Sequence, residues 1–408
     1  MEQIVARDNL RQALKRVKKN HGSPGIDGMT VEELPGYLAA HWTGIREQLL
    51  TGTYQPQPVR RCEIPKAGGG VRALGIPTVL DRFIQQAVLQ VLQPRFDPTF
   101  SEASYGFRPG RSAHQAVRKA RAHIQEGRRF VVDVDLERFF DRVNHDVLMG
   151  RLAKRIADKA VLKLIHRYLL AGVMANGVVI ERFEGTPQGG PLSPLLANVL
   201  LDEVDKALEA RGHAFVRYAD DCNVYVRSRK AGERVMAGLR KLYGKLHLRI
   251  NDAKSAVANA TARPFLGYDF WTRNGEVKCA VAAKALAAMK ARVRQITNRN
   301  GGRSLSQVTE ELRSYLPGWR TYFQLAPTPR VFSDLDEWLR HRLRMLQLKQ
   351  WKRGTTIYRE LRARGTPKSV ATRVAGNSRR WWRNSAMLLN VAMPNAFFDT
   401  LGVPRLGA

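Results

Sequence analysis

Apolar and polar residues alternate along two short runs that flank one tight turn. Ala214-Phe215-Val216-Arg217 precedes it, Cys222-Asn223-Val224-Tyr225-Val226 follows, and Tyr218-Ala219-Asp220-Asp221 lies between. Period-two alternation around a short polar link predicts a β-hairpin, here with two adjacent carboxylates in its turn. A second apolar run, Arg129 to Leu136, predicts a strand whose acids Asp133 and Asp135 share one face. Glu137 to Asp146 then reads as a loop entering a helix near Asn144 or Asp146. Between the two acidic segments, Glu184 to Pro194 is a turn rich in glycine and proline. It opens a helix whose apolar positions Leu195, Leu196, Val199, Leu200, Val204 and Leu208 share one face.

Farther along, helical spacing dominates. Leu305, Val308, Leu312, Tyr315 and Leu316 make one face, with Ser304 and Gln307 at capping-box spacing. Pro317-Gly318 is expected to interrupt that helix before Trp319 to Phe323 resumes it. Pro327 and Pro329 mark a loop, and a basic helix is expected from about Ser333. Its apolar side is Leu335, Trp338, Leu339, Leu343, Leu346 and Trp351. Leu246 to Ile250 reads as a strand ahead of Lys254.

Two adjacent aspartates repel each other, so a turn that keeps both ionised calls for a cation. Strand acids facing a core need a metal or a basic partner as well. Hard divalent ions prefer oxygen ligands, and paired Mg²⁺ ions catalyse in-line phosphoryl transfer. The expectation is that Asp135 and Asp220 meet across a sheet and hold two Mg²⁺ ions over a nucleotide. A solvated Asp-rich turn is the plain alternative.

Charge sharpens the picture. The formal net charge is +32 and the isoelectric point about 10.7, which implies a polyanionic partner and salt-sensitive binding. Residues 281–408 alone hold 24 Lys and Arg against 7 Asp and Glu. At 408 residues, with 44% hydrophobic and 25% charged positions, the chain is globular and long enough for two or three domains. Cys62, Cys222 and Cys279 are far apart, which argues against a zinc module or disulfide framework and suits a reducing cytoplasm. The start Met1-Glu2-Gln3-Ile4 has no leader pattern, and no apolar run nears membrane-spanning length. Export and membrane anchoring are not expected.

Eight blocks occur in order: Gly22 to Thr30, Ile64 to Thr78, Ser104 to Arg111, Val132 to His145, Thr186 to Pro194, Tyr218 to Asp221, Asn251 to Ser255 and Phe265 to Tyr268. Together they resemble the ordered blocks of reverse transcriptases, closest to the group II intron-encoded enzymes. The resemblance implies an α+β right-hand polymerase, with fingers and palm (an antiparallel sheet plus helices) followed by an α-helical thumb and maturase region. The expected division is an N-terminal extension and start of the fingers over 1–60, fingers and palm over 61–275, and thumb over 276–408.

The resemblance also implies roles. Asp135 and Asp220 would be the metal ligands, with Asp221 supporting and Asp133 the second choice to Asp135. Phe140 would wall the sugar of the incoming nucleotide and exclude a 2′-hydroxyl; an ordinary core aromatic is the alternative. Lys66 and Arg72, either side of Gly68-Gly69-Gly70, would grasp the triphosphate, unless they belong to a solvated basic hairpin. Gln188 would face nucleotide or template, and Lys254 the leaving pyrophosphate.

Leu316 to Phe323 and Leu335 to Arg344 look like the maturase-specific region. There Arg340, Arg344, Lys352, Arg353, Arg379 and Arg380 are the expected nucleic-acid contacts. Guanidinium groups grip phosphate, and indoles such as Trp381 and Trp382 accept bases or pack in a core. The expected partners are a structured intron RNA, an RNA template with a DNA primer, target DNA and deoxynucleoside triphosphates, with Mn²⁺ a possible substitute for Mg²⁺. No Cys/His-rich nuclease module follows in this sequence, as in the endonuclease-lacking branch of the family. Two rival readings remain: a captured enzyme serving anti-phage defence or CRISPR adaptation, and a non-catalytic splicing chaperone.

Overall fold

The computed structural model describes residues 1–65, 71–175, 178–180, 184–186 and 189–407. The chain divides into two compact units, Met1–Arg263 and Pro264–Ala408. The first carries helices α1 (Arg7–Lys19), α2 (Leu34–Thr51), α3 (Val79–Phe96), α4 (Ala113–Gln125), α5 (His145–Ala153), α6 (Lys159–Leu170), α7 (Ser193–Ala210) and α8 (Arg229–Lys245). Local side chains start many of them. Thr78, Ser112, Asn144, Asp158 and Ser228 each accept a backbone N–H in the first turn of α3, α4, α5, α6 and α8.

Strands β1 (Val59–Pro65) and β2 (Val71–Ile76) form an antiparallel hairpin, with Pro65 opposite Val71. They are joined by β4 (Val173–Ala175), parallel to β1, and β5 (Val178–Ile180). The second sheet positions the acids. It runs β6-β7-β3-β8, from Ala214–Tyr218, Asp221–Val226, Phe130–Val134 and Ala256–Asn259, antiparallel throughout. Val132, Val134, Cys222 and Val224 of this sheet are buried in one core with Leu195, Leu196, Leu200, Val204 and Leu208 of α7. Each such aliphatic side chain contributes about 1.5–3 kcal/mol through burial. The periodicity read from the sequence is therefore the face that packs.

Leu246 to Ile250 is not a strand. Leu246 ends α8, His247 takes a left-handed φ of 58°, and Ile250 makes only an isolated bridge to Leu136. The chain has to reverse there, and that use overrides the alternating pattern.

The second unit opens with the hairpin β9 (Tyr268–Arg273) and β10 (Glu276–Val281). Its link, Asn274-Gly275, has positive φ at both residues, the backbone a two-residue hairpin favours. Helices follow: α9 (Ala283–Ile296), α10 (Leu305–Tyr322), α11 (Pro329–Trp351), α12 (Gly354–Ala363), α13 (Lys368–Gly376), α14 (Trp381–Met387), α15 (Leu389–Ala392) and α16 (Asn395–Thr400). The β9–β10 hairpin thus belongs to the second compact unit.

Ser304 and Gln307 form the expected capping box. Pro317 does not break α10, which runs through it. The cost of an interior proline is about 3 kcal/mol, and the buried row Val308, Leu312 and Leu316 is enough to offset it. α11 begins at Pro329, earlier than Ser333, because proline suits the first helical position.

Candidate active site

The acids collect where β3 leaves the sheet and the β6–β7 hairpin turns. Val134 pairs with Cys222 and Tyr218 with Asp221. The register thus carries Asp135 toward Asp221, with Asp220 next in the turn. Burial first, then the charges of Asp220, Asp135 and Asp133, push the Asp221 carboxyl up to about 7. Asp221 retains solvent access and faces three like charges.

Asp135 is held by the block Asn251 to Ser255. Its N–H donates to Ser255 Oγ at 3.0 Å and its carbonyl accepts from the Asn251 N–H at 2.9 Å. Lys254 Nζ stands 3.5 Å from both carboxylate oxygens. Asp133 is committed elsewhere: Arg263 donates to it from Nη2 at 2.6 Å and Nε at 2.8 Å. Burial raises the Asp133 carboxyl and the Arg263 charge opposes that rise.

The donor set suits a hard divalent cation. Asp135, Asp220 and Asp221 offer only oxygen, their charges crowd one another, and the ammonium of Lys254 already lies against Asp135. Among the described residues no three acidic, His or Cys side chains converge on one point. An ion here would complete its shell with water and substrate oxygens, as Mg²⁺ commonly does.

The residue that sets the turn was not anticipated. Ala219 has φ +57°, the left-handed backbone that primed hairpin turns need. Its carbonyl accepts from Arg217 Nη1 at 2.9 Å. Arg217 is fully buried, and its remaining bonds go to Asp205 (2.6, 2.8 and 3.0 Å), Asn198 Oδ1 (2.9 Å) and Ser104 Oγ (2.8 Å). Gly106 backs the turn so closely that any Cβ there would collide with the Ala219 nitrogen. The sequence did carry a signal. Asn198 and Asp205 interrupt the apolar pattern of α7, and Arg217 sits in an otherwise apolar strand. Polar residues in core positions imply partners for one another.

Phe140 is 8% exposed and sits on a short 3₁₀ turn, Phe139–Asp141, whose position is fixed by the Thr186 N–H donating to the Phe140 carbonyl at 2.7 Å. It lines an open cavity of about 500 Å³ with Leu74, Phe107, Gly189 and Pro191. Arg72 stands on β2 opposite Ile64; its side chain, Lys66 and Gln188 lie outside the described residues.

In the second unit the expected cations sort by burial. Arg340 and Arg344 are 1% and 4% exposed. Arg340 donates to Asp336 and to the carbonyls of Val403 and Pro404, and Arg344 to the Met393 carbonyl and Asn395. That corrects their expected place on the surface: both are almost fully buried and spend their donors holding the fold. Lys352, Arg353, Arg379 and Arg380 are exposed. A denser cationic group gathers around Trp338. Burial, then the charges of Arg294 and Arg299, lower the affinity of the Arg342 guanidinium for its proton. Lys290, Arg294 and Arg342 surround the Trp338 ring at 5.5–5.9 Å.

Residues 64–270 match the family model described as reverse transcriptase (RNA-dependent DNA polymerase). Residues 286–365 match that of the group II intron maturase-specific domain. Protein YkfC of Escherichia coli is 34% identical over 278 residues, 59% of this chain and 73% of that protein. The group II intron-encoded protein LtrA of Lactococcus lactis is 38% identical over 195 residues, 48% of this chain but only 32% of its own length. Among solved structures, a partial Cas6-RT-Cas1–Cas2 complex matches at 28% identity with a TM-score of 0.38, over 60% of this chain and 41% of that one.

Proposed function

The chain belongs to the group II intron-encoded reverse transcriptases, and from that premise we propose that it copies a structured intron RNA into DNA and assists its splicing. The observation that supports the catalytic part is the register that carries Asp135 toward Asp221, with Asp220 beside it in the turn, at one edge of an antiparallel sheet; burial and then these like charges raise the Asp221 carboxyl. The template would be RNA, the primer DNA, and the substrates deoxynucleoside triphosphates. Target DNA would be the acceptor in retromobility, and the cytoplasm the site of action. No helix among the described residues is long and apolar enough to cross a membrane.

Two Mg²⁺ ions, when bound, supply Lewis acidity to the attacking 3′-hydroxyl and charge balance for the departing pyrophosphate. Asp135 and Asp220 would hold them, and Mn²⁺ has the same preference for oxygen. Asp221 adds negative charge beside them. Arg217 keeps the turn in the conformation that presents Asp220. Phe140 closes the cavity wall under the incoming sugar, so Phe140→Ala should admit ribonucleotides while leaving deoxynucleotide use largely intact. Lys254, 3.5 Å from the Asp135 carboxylate, would stand within reach of the leaving pyrophosphate. In the second unit, the exposed Lys352, Arg353, Arg379 and Arg380 would bind RNA backbone.

The intron role is tested by purifying the protein from its host and sequencing the RNA that survives a high-salt wash. A single structured RNA carrying this reading frame is expected. A different small RNA, or bulk cellular RNA alone, would contradict the intron role and leave a captured polymerase.

A further inference from the structure

Phe107 is exposed, strained and unused by the chemistry above. It is 46% exposed, and its φ of +61° is a backbone conformation that an aromatic residue rarely adopts. Both neighbours hold it there. Gly106 is pressed against the Ala219 nitrogen of the acidic turn, and its carbonyl accepts from Asn198 Nδ2 at 2.9 Å. Arg108 is buried and donates to Asp97 at 2.9 Å and to the carbonyls of Ser101 and Ser104 at 2.6 and 3.0 Å. The backbone at 107 therefore cannot relax, and the ring stays out of the core.

The ring lines the same cavity of about 500 Å³ as Phe140, with Leu74 and Pro191 as further apolar walls. Arg82 and Gln86 supply polar groups, and the Arg82 Nε is buried without a hydrogen-bond partner among the described residues. A cavity of this size, apolar on its walls with a few donors, suits a nucleotide. An exposed aromatic face in it suits a base, because every base stacks on an aromatic ring. Strain retained at an exposed residue beside a functional turn is a pointer to function.

We infer that Phe107 is a stacking platform for a nucleobase of the nascent base pair. The inference rests on the polymerase reading and adds a substrate contact to it. The base belongs either to the template or to the incoming nucleotide, and experiment separates the two.

The test is steady-state primer extension on an RNA template by wild type, Phe107→Gly, Phe107→Tyr and Asp220→Ala, alongside thermal unfolding. Glycine accepts the left-handed backbone, so Phe107→Gly should unfold at the wild-type temperature or above it. Its kcat/KM should nevertheless fall by about fivefold to a hundredfold, the value of one base–aromatic stack. Phe107→Tyr keeps a ring and should stay within about twofold of wild type.

Repeating wild type and Phe107→Gly on a template with an abasic site opposite the incoming nucleotide assigns the base. If the ratio between them closes to one, the ring stacks on the template base; if it persists, the ring stacks on the incoming base. The inference is overturned if Phe107→Gly extends like wild type, if Phe107→Tyr is equally impaired, or if the loss comes with a lower unfolding temperature. Should Asp220→Ala retain full synthesis, the polymerase reading fails and takes the inference with it. Should Asp220→Ala be inactive while Phe107→Gly matches wild type, only the inference falls.

Discussion

Arg217 in the first unit and Arg340 in the second are both enclosed, both paired to aspartate, and yet do different work. Arg217 spends its donors on Asp205, Asn198, Ser104 and the carbonyl of Ala219, so that a left-handed turn holds Asp220 in place. Arg340 bonds Asp336 and Asp399 and the carbonyls of Val403 and Pro404, which ties α11 to the end of the chain. One cation organises an acidic site; the other is a structural strut. In a chain of net charge +32, charge alone does not mark a nucleic-acid contact, and burial decides the role.

That contrast can be broken in several places. The largest effect is expected at the acids. Asp135→Asn should lower primer extension by about a thousandfold or more, equivalent to about 4 kcal/mol of barrier, with no loss of RNA binding; extension kinetics and a filter-binding titration check both. Next is the buried pair. Arg217→Met leaves Asp205 unpaired and should cost about 3–5 kcal/mol of stability. Adding Asp205→Leu should restore much of the unfolding temperature without restoring synthesis, because the Ala219 carbonyl stays unanchored.

Arg340→Met should destabilise the second unit by about the same amount. Its RNA affinity, measured at a temperature where the variant remains folded, should match wild type. The smallest effect is at the surface. Arg379→Ala should leave unfolding unchanged and reduce the slope of log affinity against log salt by about one.

Legibility followed burial as well. The β6–β7 hairpin, the acidic strand β3 and helix α7 were readable because alternation and helical spacing coincide there with real packing faces. The Asn251 to Ser255 block carried a lysine in sequence, but its clamp on the Asp135 backbone is a three-dimensional fact. Arg340 and Arg344 were misread as surface cations. They are four residues apart and share the side of α11 that includes Asp336, a spacing that could have placed them inward. Arg217 was hidden for a different reason. Its partners come from residues 104, 198, 205 and 219, and the polar interruptions at 198, 205 and 217 mark core positions without saying which of them pair. Pro317 shows the reverse error, where a strong local signal yields to packing.

The central claim is that Asp220, held by the Arg217-anchored turn, serves RNA-templated DNA synthesis and not the binding of RNA. The most direct measurement is primer extension on an RNA template with Mg²⁺ by wild type and Asp220→Ala, paired with RNA affinity for each. The account predicts synthesis by wild type, none by Asp220→Ala, and equal affinities. Synthesis unchanged by the substitution, or affinity lost together with it, would contradict the account.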